Sequence, residues 1–145
     1  MARIKIELPD FFPFTTEIPV RITDINYGGH VGNDTILSIL HEARVRFFIF
    51  YGYTELNLAG AGIIMSDVGI EFKSESFYGE NITASVAAEN FSRVSFDLFY
   101  KLEKKSPDNK MIPVAFAKTG VVAYDYSRKK IVAVPEEIRL KITGQ

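Results

Sequence analysis

Apolar and polar positions change period twice along this chain. Ile18, Val20 and Ile22 alternate with Glu17, Arg21 and Thr23, the period-two pattern of a half-buried strand. The alternation breaks at Gly28-Gly29. From about Asn33 to Tyr51 apolar residues recur at steps of three and four: Ile36, Ile39, Leu40, Ala43, Phe47 and Phe50. That spacing predicts one long helix with a single strongly apolar face. Asn33 or Asp34 is the expected N-cap, since a short side-chain oxygen can accept an orphan backbone N–H. Gly52 is the expected stop. Arg44 and Arg46 fall off the main apolar stripe.

After an irregular stretch from Thr54 to Gly62, the chain returns to period two. Strands are predicted over Ile63–Ser74, Ile82–Glu89, Val94–Glu103 and Pro113–Asp125, with a short one around Ile131–Val134. Tyr78-Gly79-Glu80-Asn81 and Ser106-Pro107-Asp108-Asn109 read as turns between them. Pro135-Glu136-Glu137 is suited to open a short final helix, with proline in the first turn and acids at the positive end. Strands joined by short turns favour an antiparallel sheet. The apolar helix face has only that sheet to pack against. The predicted class is therefore α+β, in one domain spanning residues 1–145, with no repeat, low-complexity segment or linker.

Composition narrows this further. Nearly half of the 145 residues are apolar, a quarter are charged, and the net charge is −1. That balance offers nucleic acid or an acidic membrane no electrostatic footing. Arg128-Lys129-Lys130 is the longest basic cluster and reads as a solvated turn. There is no cysteine, so thiol nucleophiles, disulfides and thiolate metal sites are excluded. The N-terminus does not read as a signal peptide, and no apolar run reaches the ~18 residues of a membrane span. A cytoplasmic protein is expected.

The candidate chemistry lies where the first strand ends. Asp24, Asn26, His30, Asn33 and Asp34 crowd into eleven positions around the two glycines, just before a helix begins. Polar side chains and the positive end of a helix thus converge at one point, a setting for a ligand or a reaction centre.

The same stretch resembles a signature of acyl-CoA thioesterases similar to 4-hydroxybenzoyl-CoA thioesterase, and of the related acyl-carrier-protein thioesterases. Their pattern is R-x-x-D-x-D-x-x-G-H-V-N-N, followed by a helix containing E-A-R. Arg21, Asp24, Gly29, His30, Val31 and Asn33 match, as do Glu42, Ala43 and Arg44. The resemblance runs through the strands and covers nearly the whole chain. It implies the hotdog fold, a long central helix wrapped by an antiparallel sheet of five to six strands. It also implies thioester hydrolysis at a site built between two subunits of a homodimer or homotetramer. Two positions depart from the pattern. The family's second aspartate, usually the catalytic carboxylate, falls on Asn26, and the first asparagine of its H-V-N-N falls on Gly32. An amide has no accessible ionised form, so Asn26 cannot be a general base or a nucleophile.

By the resemblance, a backbone N–H near Asn33 points at the thioester oxygen; capping the helix is its simpler role. Asn26 is left to orient a water, to bind the carbonyl through its amide, or to serve as a turn residue. His30 is a candidate base or a residue that fixes the loop. Three carboxylates are candidates to replace the missing one. Asp34 sits in the first helical turn, where the dipole favours negative charge. Glu42 lies about two turns on, with Arg46 at i+4 as its alternative partner. Asp67 interrupts an apolar strand, on either a solvated face or a subunit interface. His41 is comparably placed beside Glu42. Asp24 and Arg21, which precede the break, are expected to form a structural ion pair or a loop anchor. Arg93 is the residue expected to meet a CoA phosphate, with a solvent-facing hairpin arginine as the alternative.

The leading expectation is an acyl-CoA or acyl-carrier-protein thioester hydrolase with no cofactor beyond the CoA of its substrate and no metal. Two rival readings fit the same residues. Asp24, Asn26 and His30 approach the D-x-N-P-x-H of hotdog enoyl-thioester hydratases and dehydratases, one residue too long and without the proline. The replacement at Asn26 also suits an acyl-CoA-binding protein without catalysis.

Overall fold

The computed structural model describes residues 3–143. The elements follow the predicted order: β1 (Phe14–Pro19), a 3-10 turn (Ile22–Asp24), α1 (Asn33–Phe50), β2 (Gly62–Phe72), β3 (Asn81–Glu89), β4 (Ser95–Lys105), β5 (Met111–Asp125), β6 (Lys130–Ile131) and α2 (Glu136–Ile142). The strands form one antiparallel sheet in the order β1-β3-β4-β5-β2, with β6 beside β5. α1 lies across one face of it. Ile36, Ile39, Leu40, Ala43 and Phe47 meet Ile82, Val86, Leu98, Tyr100 and Leu102 in a continuous core. This is the hotdog arrangement. No described helix is long and apolar enough to cross a membrane.

Three local expectations change in the folded chain. The first strand stops at Pro19 instead of running to Thr23. Asp24 accepts the Arg21 backbone N–H at 2.8 Å and its guanidinium at 3.3 Å. Those bonds favour a tight 3-10 turn over a ladder, so Ile22 points outward and is exposed. At the other end of α1, Phe50 is exposed and Phe48 takes the buried place expected of it. The last helical turn sets Phe50 against Phe14 of the edge strand, with ring centroids 5.3 Å apart and the rings tilted by 48°.

The third change concerns Arg44, which is buried rather than off the apolar face. Its Nε donates to Glu55 Oε1 at 2.5 Å and its Nη1 to the Tyr100 hydroxyl at 3.3 Å. Tyr100 and Thr119 share a further hydrogen bond of 2.8 Å. Burial pushes the Tyr100 hydroxyl up, which keeps it protonated and able to bridge the two. The helix is thus tied to the middle of the sheet by a polar chain inside the core.

α2 closes the far end of the core through Ile138 and Ile142. The Tyr53 hydroxyl donates to Glu137. That bond, with burial and the nearby negative charge, pushes the phenol up to about 12. In the unfolded chain it titrates near 10. The stabilisation is therefore complete below pH ~10 and is lost as pH rises through the folded value. Tyr53→Phe is expected to be less stable than the parent at pH 8. Its unfolding midpoint should fall less than the parent's between pH 10 and 12. Parallel curves from thermal unfolding across that range would refute the linkage.

Candidate functional site

The loop before α1 is held by its own backbone and by one side chain. Ile25 and Val31 form an isolated antiparallel bridge. The Asn26 N–H donates to the His30 carbonyl at 2.9 Å, and the Gly29 N–H to the Asn26 carbonyl at 3.0 Å. Gly29 has φ +84°, which a side chain would resist. The Asn26 side-chain oxygen accepts the Gly28 N–H at 2.9 Å and the His30 N–H at 3.4 Å. Of the roles open to Asn26, its oxygen takes that of a loop tie. Its nitrogen is left facing the helix start.

α1 begins without a cap. The N-cap is Gly32, not Asn33 or Asp34, and no side chain bonds the first turn. Gly32 has no side chain to do so, and Asn33 has already entered the helix. The Thr35 and Ile36 N–H groups return to the Gly32 carbonyl at 3.0 and 3.1 Å. The amides of Asn33 and Asp34 are left open at the positive end of an 18-residue helix.

Gly32 explains where the Asp34 carboxylate goes. A Cβ on Gly32 would stand 2.6 Å from Asp34 Oδ1 and 3.7 Å from Asn26 Nδ2. The carboxylate therefore occupies the space that any larger residue at position 32 would fill, and it shares that space with the Asn26 amide. The two departures from the family pattern are thus one structural unit. Position 26 has no carboxylate, and position 32 has the gap that admits one from position 34.

His30 flanks the same opening. Its Nδ1 lies 3.1 Å from the Val31 carbonyl, which can only accept, so Nδ1 is the donor of that bond. Nε2 is 3.9 Å from Glu75. A cleft of about 250 Å³ opens between His30, Asn33, Ile36, Phe72, Glu75 and Ser76. The structure thus brings Asn26, His30, Asn33 and Asp34 to one place.

Glu42, Asp67 and Arg93 lie elsewhere in the protomer. Glu42 accepts Arg46 Nε at 2.8 Å, the i+4 pairing. Arg46 in turn donates to Thr16 and to the Glu17 carbonyl, at 2.9 and 2.7 Å. Glu42 is therefore held on the β1 side of the helix. His41 faces Glu55 at 3.5 Å. Asp67 follows a bulge between Met65 and Asp67 and pairs with Gly120. Its carboxylate accepts Lys118 Nζ and the Gly120 N–H, each at 2.9 Å, on the sheet face turned away from α1. These bonds, with Lys118 foremost, hold Asp67 below its usual range. Within the protomer the Asp67 carboxylate is exposed. Arg93 sits in the hairpin between β3 and β4, where its carbonyl accepts the Val134 N–H at 2.8 Å. That hairpin is the length of β3, roughly 25 Å, from the start of α1.

The sequence reading missed Ser76, Glu75 and Phe72. They meet the loop through one long-range bond, from the Val31 N–H to the Ser76 carbonyl at 2.8 Å. No local pattern signals a contact across 45 positions. Among the described residues no group of three or more His, Cys, Asp or Glu is placed to hold a metal.

Comparison with known proteins agrees with this architecture. A thioesterase superfamily protein from Jannaschia superposes with a TM-score of 0.80 at 18% identity, over 92% of this chain and 83% of that one. The 4-hydroxybenzoyl-CoA thioesterase of Pseudomonas sp. strain CBS-3 superposes at 0.77 with 19% identity, over 88% and 96%. A 1,4-dihydroxy-2-naphthoyl-CoA thioesterase from Synechocystis gives 0.77 and 19%, over 89% and 94%. At these identities the likeness establishes the fold. No curated protein matches the sequence itself. The family model of the thioesterase-like superfamily matches residues 20–142, from the end of β1 to the last turn of α2. The chain belongs to the thioesterase-like superfamily.

Proposed function

We propose that this protein hydrolyses acyl thioesters, with CoA as the favoured carrier, at the start of α1. The observation that carries the reading is the uncapped helix start, with the Asp34 carboxylate lodged over Gly32 beside Asn26 and His30. The structural relatives described as acting on CoA thioesters support the substrate class.

The thioester carbonyl oxygen sits against the open amides of Asn33 and Asp34. Fixed N–H donors there strengthen as negative charge develops on that oxygen. The Asp34 carboxylate takes a proton from a water held by the Asn26 amide. The resulting hydroxide attacks the carbonyl carbon. The tetrahedral adduct then breaks its C–S bond, and the CoA thiolate leaves with the proton restored to sulfur. Of the three carboxylates considered, Glu42 and Asp67 are engaged in ion pairs, with Arg46 and Lys118. Only Asp34 stands at the helix start.

The working unit is a homodimer joined along β2. That strand is a sheet edge, and Met65, Val68 and Phe72 on it are 44, 45 and 50% exposed. An apolar edge of this kind invites pairing with a second copy. Antiparallel pairing of two β2 strands sets the hairpin end of one protomer beside the α1 start of the other. In that arrangement Arg93 approaches the site from the second copy, where it can meet a CoA phosphate.

The test is thiol release from short, long and aromatic acyl-CoAs. The protein has no cysteine, so it adds no background. Turnover on any of them supports the reading. Absence of release across the panel overturns it. Tight ligand binding without release would then identify an acyl-CoA-binding protein, and hydration of an enoyl-CoA would identify a hydratase.

A further inference from the structure

Ser76 has a hydroxyl that the fold does not use. The residue is 2% exposed, and its Oγ is the one buried side-chain polar atom without a partner among the described residues. The other hydroxyls nearby or in the core are engaged: Ser74 with the Pro113 carbonyl at 2.6 Å, Ser85 with Thr15 at 3.2 Å, Thr119 with Tyr100 at 2.8 Å. A buried hydroxyl without a partner lowers stability, because it gives up water and gains nothing in return. Such a group in a folded protein points to a partner that arrives later.

Its position says which partner. The Ser76 carbonyl accepts the Val31 N–H at 2.8 Å, so the residue is clamped against the chain just before Asn33. The residue lines the cleft at the helix start, together with Asn33, His30 and the apolar walls Val31, Ile36 and Phe72, with its hydroxyl buried just behind that lining. Resting on the hydrolase reading above, we infer that Ser76 donates a hydrogen bond to the thioester carbonyl oxygen, as a side-chain donor beside the open amides of α1. A hydroxyl rotates freely and can follow that oxygen as the carbonyl carbon becomes tetrahedral. Between apolar walls its bond to a developing oxyanion strengthens more than its bond to the neutral carbonyl. Ser76 thus acts on the rate of the chemical step more than on substrate binding.

The experiment compares the parent with Ser76→Ala and Ser76→Cys, measuring kcat and KM on the best acyl-CoA of the panel and the unfolding temperature. Ser76→Ala is expected to lower kcat roughly 10²-fold with KM little changed, the loss typical of one oxyanion donor. Its unfolding temperature should stay level or rise, since an unpaired hydroxyl has been removed. Ser76→Cys keeps the shape with a weaker donor and should fall between the two. An active parent with full kcat in Ser76→Ala overturns the inference and leaves the hydrolase reading intact. A lower unfolding temperature in Ser76→Ala, with KM rising as kcat falls, overturns it in favour of a packing role. A parent without turnover overturns both.

Discussion

Asp34→Asn is expected to lower kcat for thioester hydrolysis by roughly 10²–10⁴-fold, the range for losing a positioned general base. The substitution keeps the size and shape of the side chain that fills the space over Gly32. The helix start stays uncapped, so its amides still receive the carbonyl and KM should change little. The matching change at the neighbouring position is informative. Asn26→Asp, which restores the family residue, puts a second negative charge beside Asp34. In the parent it should not raise activity, because the two carboxylates repel and one Asn26 oxygen position is held by Gly28 and His30. In Asp34→Asn it should recover part of the lost rate. Steady-state kinetics of the three variants tests the relocation of the carboxylate directly. Full activity in Asp34→Asn would remove Asp34 from the mechanism and return attention to His30.

Arg44→Ala is expected to destabilise the fold by about 3 kcal/mol, because removing one partner strands the other groups of a buried network. The buried Arg44 side chain of α1 has Glu55 and Tyr100 as its partners, and Tyr100 and Thr119 are fully buried. At this chain length a loss of that size lowers the unfolding temperature by roughly 10 °C. The comparison that isolates the charge is Arg44→Met with Glu55→Gln. It fills the volume and neutralises the stranded acid, so it should recover a substantial part of the loss. Denaturant unfolding of the single and double variants reads both effects. An unchanged midpoint in Arg44→Ala would mean that water and packing replace the network without cost.

The fold was legible because its elements are long and their periods differ. The i, i+3, i+4 spacing from Ile36 to Phe47 leaves a helix as the only regular element that buries those residues together. The strict alternation through Val94–Glu103 likewise leaves only a strand, and the turns at Gly79 and Asn109 stand where proline, glycine and asparagine cluster. The first strand was overextended, because period two continues through Ile22 while the Arg21–Asp24 bonds act against it. Arg44 was misplaced for a related reason. Periodicity assigns a charge to water, whereas a charge with partners can be buried.

The site divides along the same line. Sequence alone determined the order of elements, the helix-and-sheet class, the family motif and the cluster of Asn26, His30, Asn33 and Asp34, because all of these depend on residues close along the chain. Only the tertiary structure decided which carboxylate is available. Glu42 and Asp67 are engaged by Arg46 and Lys118, and the Lys118 partner lies 51 positions from Asp67. Only the tertiary structure brought Ser76 beneath the helix start and left its hydroxyl without a partner. The physical reason is the same in each case. Hydrophobic period and turn chemistry are local, but whether a polar group is paired depends on what long-range packing sets opposite it.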